Sequence, residues 1–129
     1  MNKLDKKSIV GISALLVHAA KIDEIYSDHE KSLIKDFIKS YLEDADPNII
    51  LKTAEEIESN SNQLLNYTNI IKENSNEIKK DIIEHLWKVI ISDKTIDQYE
   101  SNLMRRICGL IYFPDKECAE IKLRLIKNK

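Results

Sequence analysis

Two short stretches of this chain carry the same acidic skeleton. "IDEIYSDHEKSL" (residues 22–33) holds Asp23 and Glu30, and "SDKTIDQYESNL" (residues 92–103) holds Asp93 and Glu100 at the same spacing, seventy residues on. Leu33 answers Leu103 in the same register. Carboxylates brought together from two turns are the oxygen ligands that a hard divalent cation takes. The spacing is not that of an EF-hand, which needs oxygen ligands at its third and fifth positions, Gly at the sixth and Glu at the twelfth. Counting from Asp23 puts Ile25 third and Ile34 twelfth, and counting from Asp93 puts Thr95 third and Met104 twelfth. The same residues also suit a structural role. Asp23 and Asp93 can fold onto backbone N–H groups of their turns. Ser27–Glu30 and Asp97–Glu100 have capping-box spacing, with Tyr26 and Ile96 placed before them as hydrophobic staples. Capping accounts for every shared position without a ligand; cation binding would be an added use of the same carboxylates.

Other chemistry-bearing residues are sparse. His85 lies one helical turn beyond Asp81, so the two can form an Asp–His pair on one face. His18 falls on an apolar helix and His29 in a turn. No nucleophile elbow, HExxH pattern or phosphate loop accompanies them, and the two glycines, Gly11 and Gly109, are too few for a glycine-rich cradle. A non-enzymatic protein is the expectation. Cys108 and Cys118 stand ten residues apart, without CxxC or metal-ligand spacing. Both occupy apolar helical positions and read as buried, reduced thiols.

The elements that must position these residues are helices. With 43% hydrophobic and 33% charged residues but only two Gly and two Pro, the chain has few breakers for the turns of a sandwich or barrel. A first helix, from about Asp5 to Ile22, is apolar almost all round and belongs at the centre. A second starts after Ser27, with Leu33, Ile34, Phe37, Ile38 and Tyr41 as its inner stripe. Asp46 caps a third, opened by Pro47 and striped by Ile50, Ala54 and Ile57. A short fourth uses Leu64, Leu65, Tyr67, Thr68 and Ile71. The fifth, capped by Asn74 and ending near Ile91, is the second central helix. A sixth begins at Asp97, Pro114–Asp115 ends it, and a seventh presents Cys118, Ile121 and Leu125. Sliding residues 15–38 by seventy positions matches Leu16 to Leu86, Ala19 to Val89, Ala20 to Ile90, Ile34 to Met104 and Phe37 to Ile107. The pattern predicts an all-α, single-domain bundle over residues 1–129. It has about seven helices, with helices 1–2 and 5–6 forming two pseudo-symmetric helical hairpins and helices 1 and 5 in contact.

The net charge of -2, with no basic stripe among aromatics, disfavours nucleic acid. Residues 43–60 hold Glu43, Asp44, Asp46, Glu55, Glu56 and Glu58 against Lys52 alone, whereas the tail carries Lys122, Arg124, Lys127 and Lys129 without an acid. Such a polarised surface can orient a partner, and it is also what solvated helix faces look like. The apolar stretch from Ile9 to Ala20 is shorter than the roughly 18 residues of a membrane span. It also takes part in the repeat, which argues against a removable signal. A cytoplasmic protein without membrane insertion is expected.

"ALLVHAAKID…YSDHEKSLI", "NYTNIIKE", "HLWKVIISDKTIDQYESNLMRRICGLI" and "IKLRL" resemble, in order and spacing, the TerB-like (tellurite-resistance protein B) superfamily, and most closely its small stand-alone bacterial branch. The resemblance covers about residues 9–126. It implies an all-helical fold with internal pseudo-symmetry and, in some relatives, a link to tellurite or other stress resistance. It also implies divalent-metal binding through acidic residues, here Asp23, Glu30, Asp93 and Glu100, and service as a module in larger assemblies. Glu24 and Lys94 follow the two aspartates where the family usually has Gly. Lys94 sets a positive charge beside Asp93. The leading expectation is a non-enzymatic protein-interaction module in bacterial envelope or stress physiology. A domain that binds a divalent cation through the duplicated turns is the alternative, and a small enzyme using His85 and Asp81 stands third.

Overall fold

The Asp5 carboxylate accepts the Ser8 N–H at 2.7 Å and so caps a helix that is buried on nearly every face. In the computed structural model this helix is α1, Lys6–Ala20. Described are residues 5–21, 26–60, 64–91 and 98–127, without the side chains of residues 64–65 and 98–100. α2 (Asp28–Tyr41), α3 (Pro47–Asn60), α4 (Leu64–Lys72), α5 (Asn76–Ile91), α6 (Gln98–Leu110) and α7 (Asp115–Lys127) follow. Among the described residues all regular secondary structure is helical, as the scarcity of Gly and Pro predicts.

α1 is the hub. It packs against α2, α3, α4 and α5, which explains why Ile9, Ile12, Leu15, Leu16 and Val17 are all fully buried. Its approach to α4 is close: a Cβ at Gly11 would collide with Ile70 Cδ1. α5 packs on α1, α2 and α7, and α6 on α4 and α7. The five residue pairs matched at seventy positions are buried on both sides, so the hairpin register read from sequence is the register of the core.

The repeat also reaches further than two helices. α3 lies on α1 and α2, and α7 lies on α5 and α6. Both third helices open at a proline, Pro47 and Pro114, and here the offset is sixty-seven rather than seventy. On that offset Leu51 answers Cys118 and Ala54 answers Ile121, all four buried, and Glu58 answers Leu125.

Two local readings are corrected. The inner stripe of α3 is Ile50, Leu51, Ala54 and Glu58, while Ile57 is 38% exposed. The i+4 step from Ala54 carries the stripe to the acid instead of the isoleucine. Ser75, not Asn74, caps α5: its hydroxyl takes the Ile78 N–H at 3.3 Å and its carbonyl the Lys79 N–H at 3.0 Å. Asn74 instead donates its amide to the Ile70 carbonyl at 2.7 Å and closes α4. α6 ends in a Schellman-type turn. Phe113 N–H reaches back to the Cys108 carbonyl at 2.8 Å, with Tyr112 at φ 60° in the left-handed position that favours glycine. Pro114 then follows, where a continued helix would need an N–H.

Candidate functional site

The last turn of α1, the first of α2 and the second half of α3 meet in a polar cluster. Ser27 takes the Glu30 N–H at 3.2 Å, and Glu30 Oε1 accepts the Ser27 N–H at 2.8 Å and its hydroxyl at 3.2 Å. The capping box expected for the first acidic turn is therefore complete. Tyr26, one residue before the cap, is half-buried against the core. Its staple partner one turn into α2 is a lysine: Lys31 Nζ sits 5.0 Å from the ring centroid, and Lys21 Nζ lies 5.8 Å from it.

α3 closes this cluster with two acids. Glu55 Oε2 accepts the Tyr26 hydroxyl at 2.6 Å. Burial, the Glu55 hydrogen bond and the charges of Glu55, Glu30 and Glu58 push the Tyr26 hydroxyl far above its ordinary range, so it stays a neutral donor. Glu58, a buried residue, accepts Lys21 Nζ at 3.0 Å on Oε1 and faces His18 Nδ1 at 3.3 Å on Oε2. Sequence reasoning counted Glu55 and Glu58 among acids of a solvated, polarised face. They are instead the pegs by which α3 holds the end of α1. The available signal was the spacing Ile50–Ala54–Glu58, a single i, i+4, i+8 row.

Glu30 is the one of the four candidate metal carboxylates whose side chain is described. It is 1% exposed, and its second oxygen, Oε2, has no hydrogen-bond partner among the described residues. Such a buried acceptor is costly to leave without a donor or cation. Asp23 and Asp93 and the Glu100 side chain lie outside the described residues, as does the Asp97 cap. Among the described residues no group of three or more His, Cys, Asp or Glu side chains is arranged to hold a metal ion. Glu30 fits the role of a single ligand and no more.

His85 and Asp81 do meet, but as part of the α2–α5 interface. His85 Nδ1 lies 2.8 Å from the Asp81 carbonyl and 3.5 Å from its carboxylate. The other carboxylate oxygen accepts the Tyr41 hydroxyl at 2.6 Å, and the Phe37 ring stands edge-on to the imidazole at 5.0 Å. Burial and the Asp81 hydrogen bond push the Tyr41 hydroxyl well above its ordinary range. This arrangement fixes two helices and occupies both partners.

A second surface feature is apolar. Val10 and Gly11 of α1, Ile57 of α3 and Ile70 of α4 line an open cleft of about 530 Å³ with Lys6 and Lys7 at its edge. Ile57 turns outward to form one wall, and the Ile70 side chain lies over Gly11. Among the described residues no helix is long and apolar enough to cross a membrane.

These observations define a small all-helical domain, built from a duplicated helical unit and pegged by inward-facing carboxylates. A family model described as Tellurite resistance protein TerB matches residues 10–123, and the chain belongs to that family. No curated protein and no solved structure matches it significantly.

Proposed function

We propose that this TerB-family domain is a non-enzymatic module that binds another protein, in bacterial envelope or stress physiology of the tellurite type. The apolar cleft between α1, α3 and α4 carries this reading. Its apolar walls and the lysines at its edge suit one kind of occupant: an amphipathic helix of a partner protein whose apolar side chains are flanked by acids. The test compares the native chain with I57D and with the double variant K6E/K7E. Binding is read by photo-crosslinking from residue 57 in host cells and by the affinity of the crosslinked segment made as a peptide. A helix with an acid-flanked apolar face, whose affinity falls at least about tenfold with each variant, supports the proposal. No crosslinked protein, or a peptide that binds I57D as well as the native chain, refutes it. So does turnover of a metabolite by the purified domain.

The buried, partnerless Glu30 Oε2 favours a second reading, in which the duplicated acidic turns bind a divalent cation through Asp23, Glu30, Asp93 and Glu100. A cation would supply what that oxygen lacks. Metal-stripped protein would then show a saturable rise in Tm with Ca²⁺, Mg²⁺, Mn²⁺ or Zn²⁺. E30Q keeps an acceptor oxygen for the cap and removes the charge, so it should lose that rise while folding normally. A flat response of the native protein excludes this reading.

A further inference from the structure

The α6–α7 turn brings together two thiols that neither proposed binding role uses. Cys108 lies in the last turn of α6 and is fully buried; Cys118 lies in the first turn of α7 and is 6% exposed. The two side chains are near neighbours, each shifting the ionisation of the other. Cys118 Sγ also receives the indole N–H of Trp87 at 3.3 Å. It lies at the edge of an open cleft of about 300 Å³, lined also by Met104, Arg105, Asp115 and Lys122. Lys122 Nζ stands 5.3 Å over the Trp87 ring, bringing its charge close to the same sulfur.

The environment separates the two thiols. The hydrogen bond from Cys108, then those of Trp87 and the Lys122 charge, hold the Cys118 thiol below its ordinary range, against the opposing effects of burial and Asp115. The same hydrogen bond and burial push Cys108 far up. Two donors on one sulfur stabilise its thiolate, and the proton remains on the other.

We propose that Cys118 and Cys108 form a peroxide-reactive pair in which Cys118, open to the cleft, is oxidised first and Cys108 resolves it to an intrachain disulfide. The Cys118 thiolate attacks a hydroperoxide ROOH and the O–O bond breaks. The leaving alkoxide takes a proton and departs as ROH, leaving a sulfenic acid on Cys118. Cys108 sulfur then attacks Cys118 sulfur; the S–S bond forms, and hydroxide leaves as water with the Cys108 proton. Two thiols lose two electrons and one hydroperoxide gains them. The product clamps α7 to α6 across the Schellman turn.

The experiment treats the full chain with hydrogen peroxide and follows intact mass, thiol alkylation and the fluorescence of Trp87, the one tryptophan of the sequence. The monomer should lose the mass of two hydrogens, resist alkylation at both cysteines, and change its Trp87 emission in a way dithiothreitol reverses. C108S should stop at a dimedone-reactive sulfenic acid on Cys118. C118S should leave Cys108 labelled at least about tenfold more slowly than Cys118 in C108S. A native chain that keeps both thiols, forms only intermolecular disulfides, or over-oxidises Cys118 without closing the bond overturns the proposal. Should either variant fail to fold, the native mass and fluorescence decide alone. Labelling of Cys108 in C118S at the Cys118 rate overturns the order of attack.

Discussion

Removing the Glu58 peg gives a direct measure of how α3 is held. In E58Q the side chain keeps its volume and one acceptor oxygen but loses its charge. The partners left behind are not stranded: the Lys21 and His18 side chains are 39% and 29% exposed and can turn to water, whereas Glu58 is 10% exposed. A charge-assisted hydrogen bond contributes about 1.5–3 kcal/mol when shielded, and screening at this edge brings E58Q down to about 1–2 kcal/mol. K21M acts in the opposite way, because it strands the less exposed partner. The Glu58 carboxylate then keeps only the His18 contact, so a cost of about 2–3 kcal/mol is expected. Combining the two removes the stranded charge, and E58Q/K21M should cost at least about 1 kcal/mol less than the sum of the singles. Urea unfolding of the four proteins at low ionic strength provides the cycle. Singles that add within about 0.5 kcal/mol would refute the bridge as a stabilising element.

Three other outcomes follow from single sites. Ser13 is fully buried in α1, and its hydroxyl has no partner among the described residues; S13A should raise stability by about 1–2 kcal/mol, read from the urea midpoint. Y112G should gain about 0.5–1 kcal/mol by relieving the left-handed residue after α6, even though it deprives the Lys72 ammonium of the Tyr112 ring; a lower midpoint would contradict that account. Tyr26 and Tyr41 both have their hydroxyls raised from the ordinary value of 10.0 by burial and a carboxylate partner. The folded form then holds protons that the unfolded chain gives up, so this stability is fully present below about pH 10 and declines above it. In an absorbance titration, each of Y26F and Y41F should show one tyrosine fewer that ionises only as the chain unfolds than the native chain does.

The helices were legible because apolar side chains at helical spacing leave little choice of face. Leu16 and Leu86, or Phe37 and Ile107, are buried at matched places for the reason that made them match in sequence. Ser27–Glu30 was legible too, since a capping box is a contact between near neighbours. Less visible were contacts whose partners lie far apart along the chain. The row Ile50–Ala54–Glu58 points Glu58 at the core, but the partners that make a charge acceptable there, Lys21 and His18, lie two helices earlier. No local pattern tells Asn74 from Ser75 as the cap of α5. That choice depends on the Ile70 carbonyl at the end of α4, which draws the Asn74 amide away. The third helix of the repeat is hidden in the sequence because its offset shifts by three residues and its side chains are unlike.

That unlikeness bears on why the acidic turn occurs twice. If the duplication existed for a shared ligand, the surroundings of the two turns should match. At the first turn, α3 brings Glu55 and Glu58 to Tyr26, Lys21 and His18. In the second unit the residue corresponding to Glu58 is Leu125, half-buried, and α7 is fastened instead by Cys118 on Trp87 and by the Arg124–Glu84 ion pair. The shared part of the duplication is thus the burial of the matched apolar positions and the third helix laid against each pair. The chemistry differs between copies: among the described residues, carboxylates gather around one end of the bundle, and thiols at the junction of the other. Of these residues, a ligand that needs several carboxylates would find them in the first unit, and an oxidant would find its target in the second. Chemistry that uses the described carboxylates or the thiols is therefore to be sought in one unit at a time, with the repeat as its scaffold.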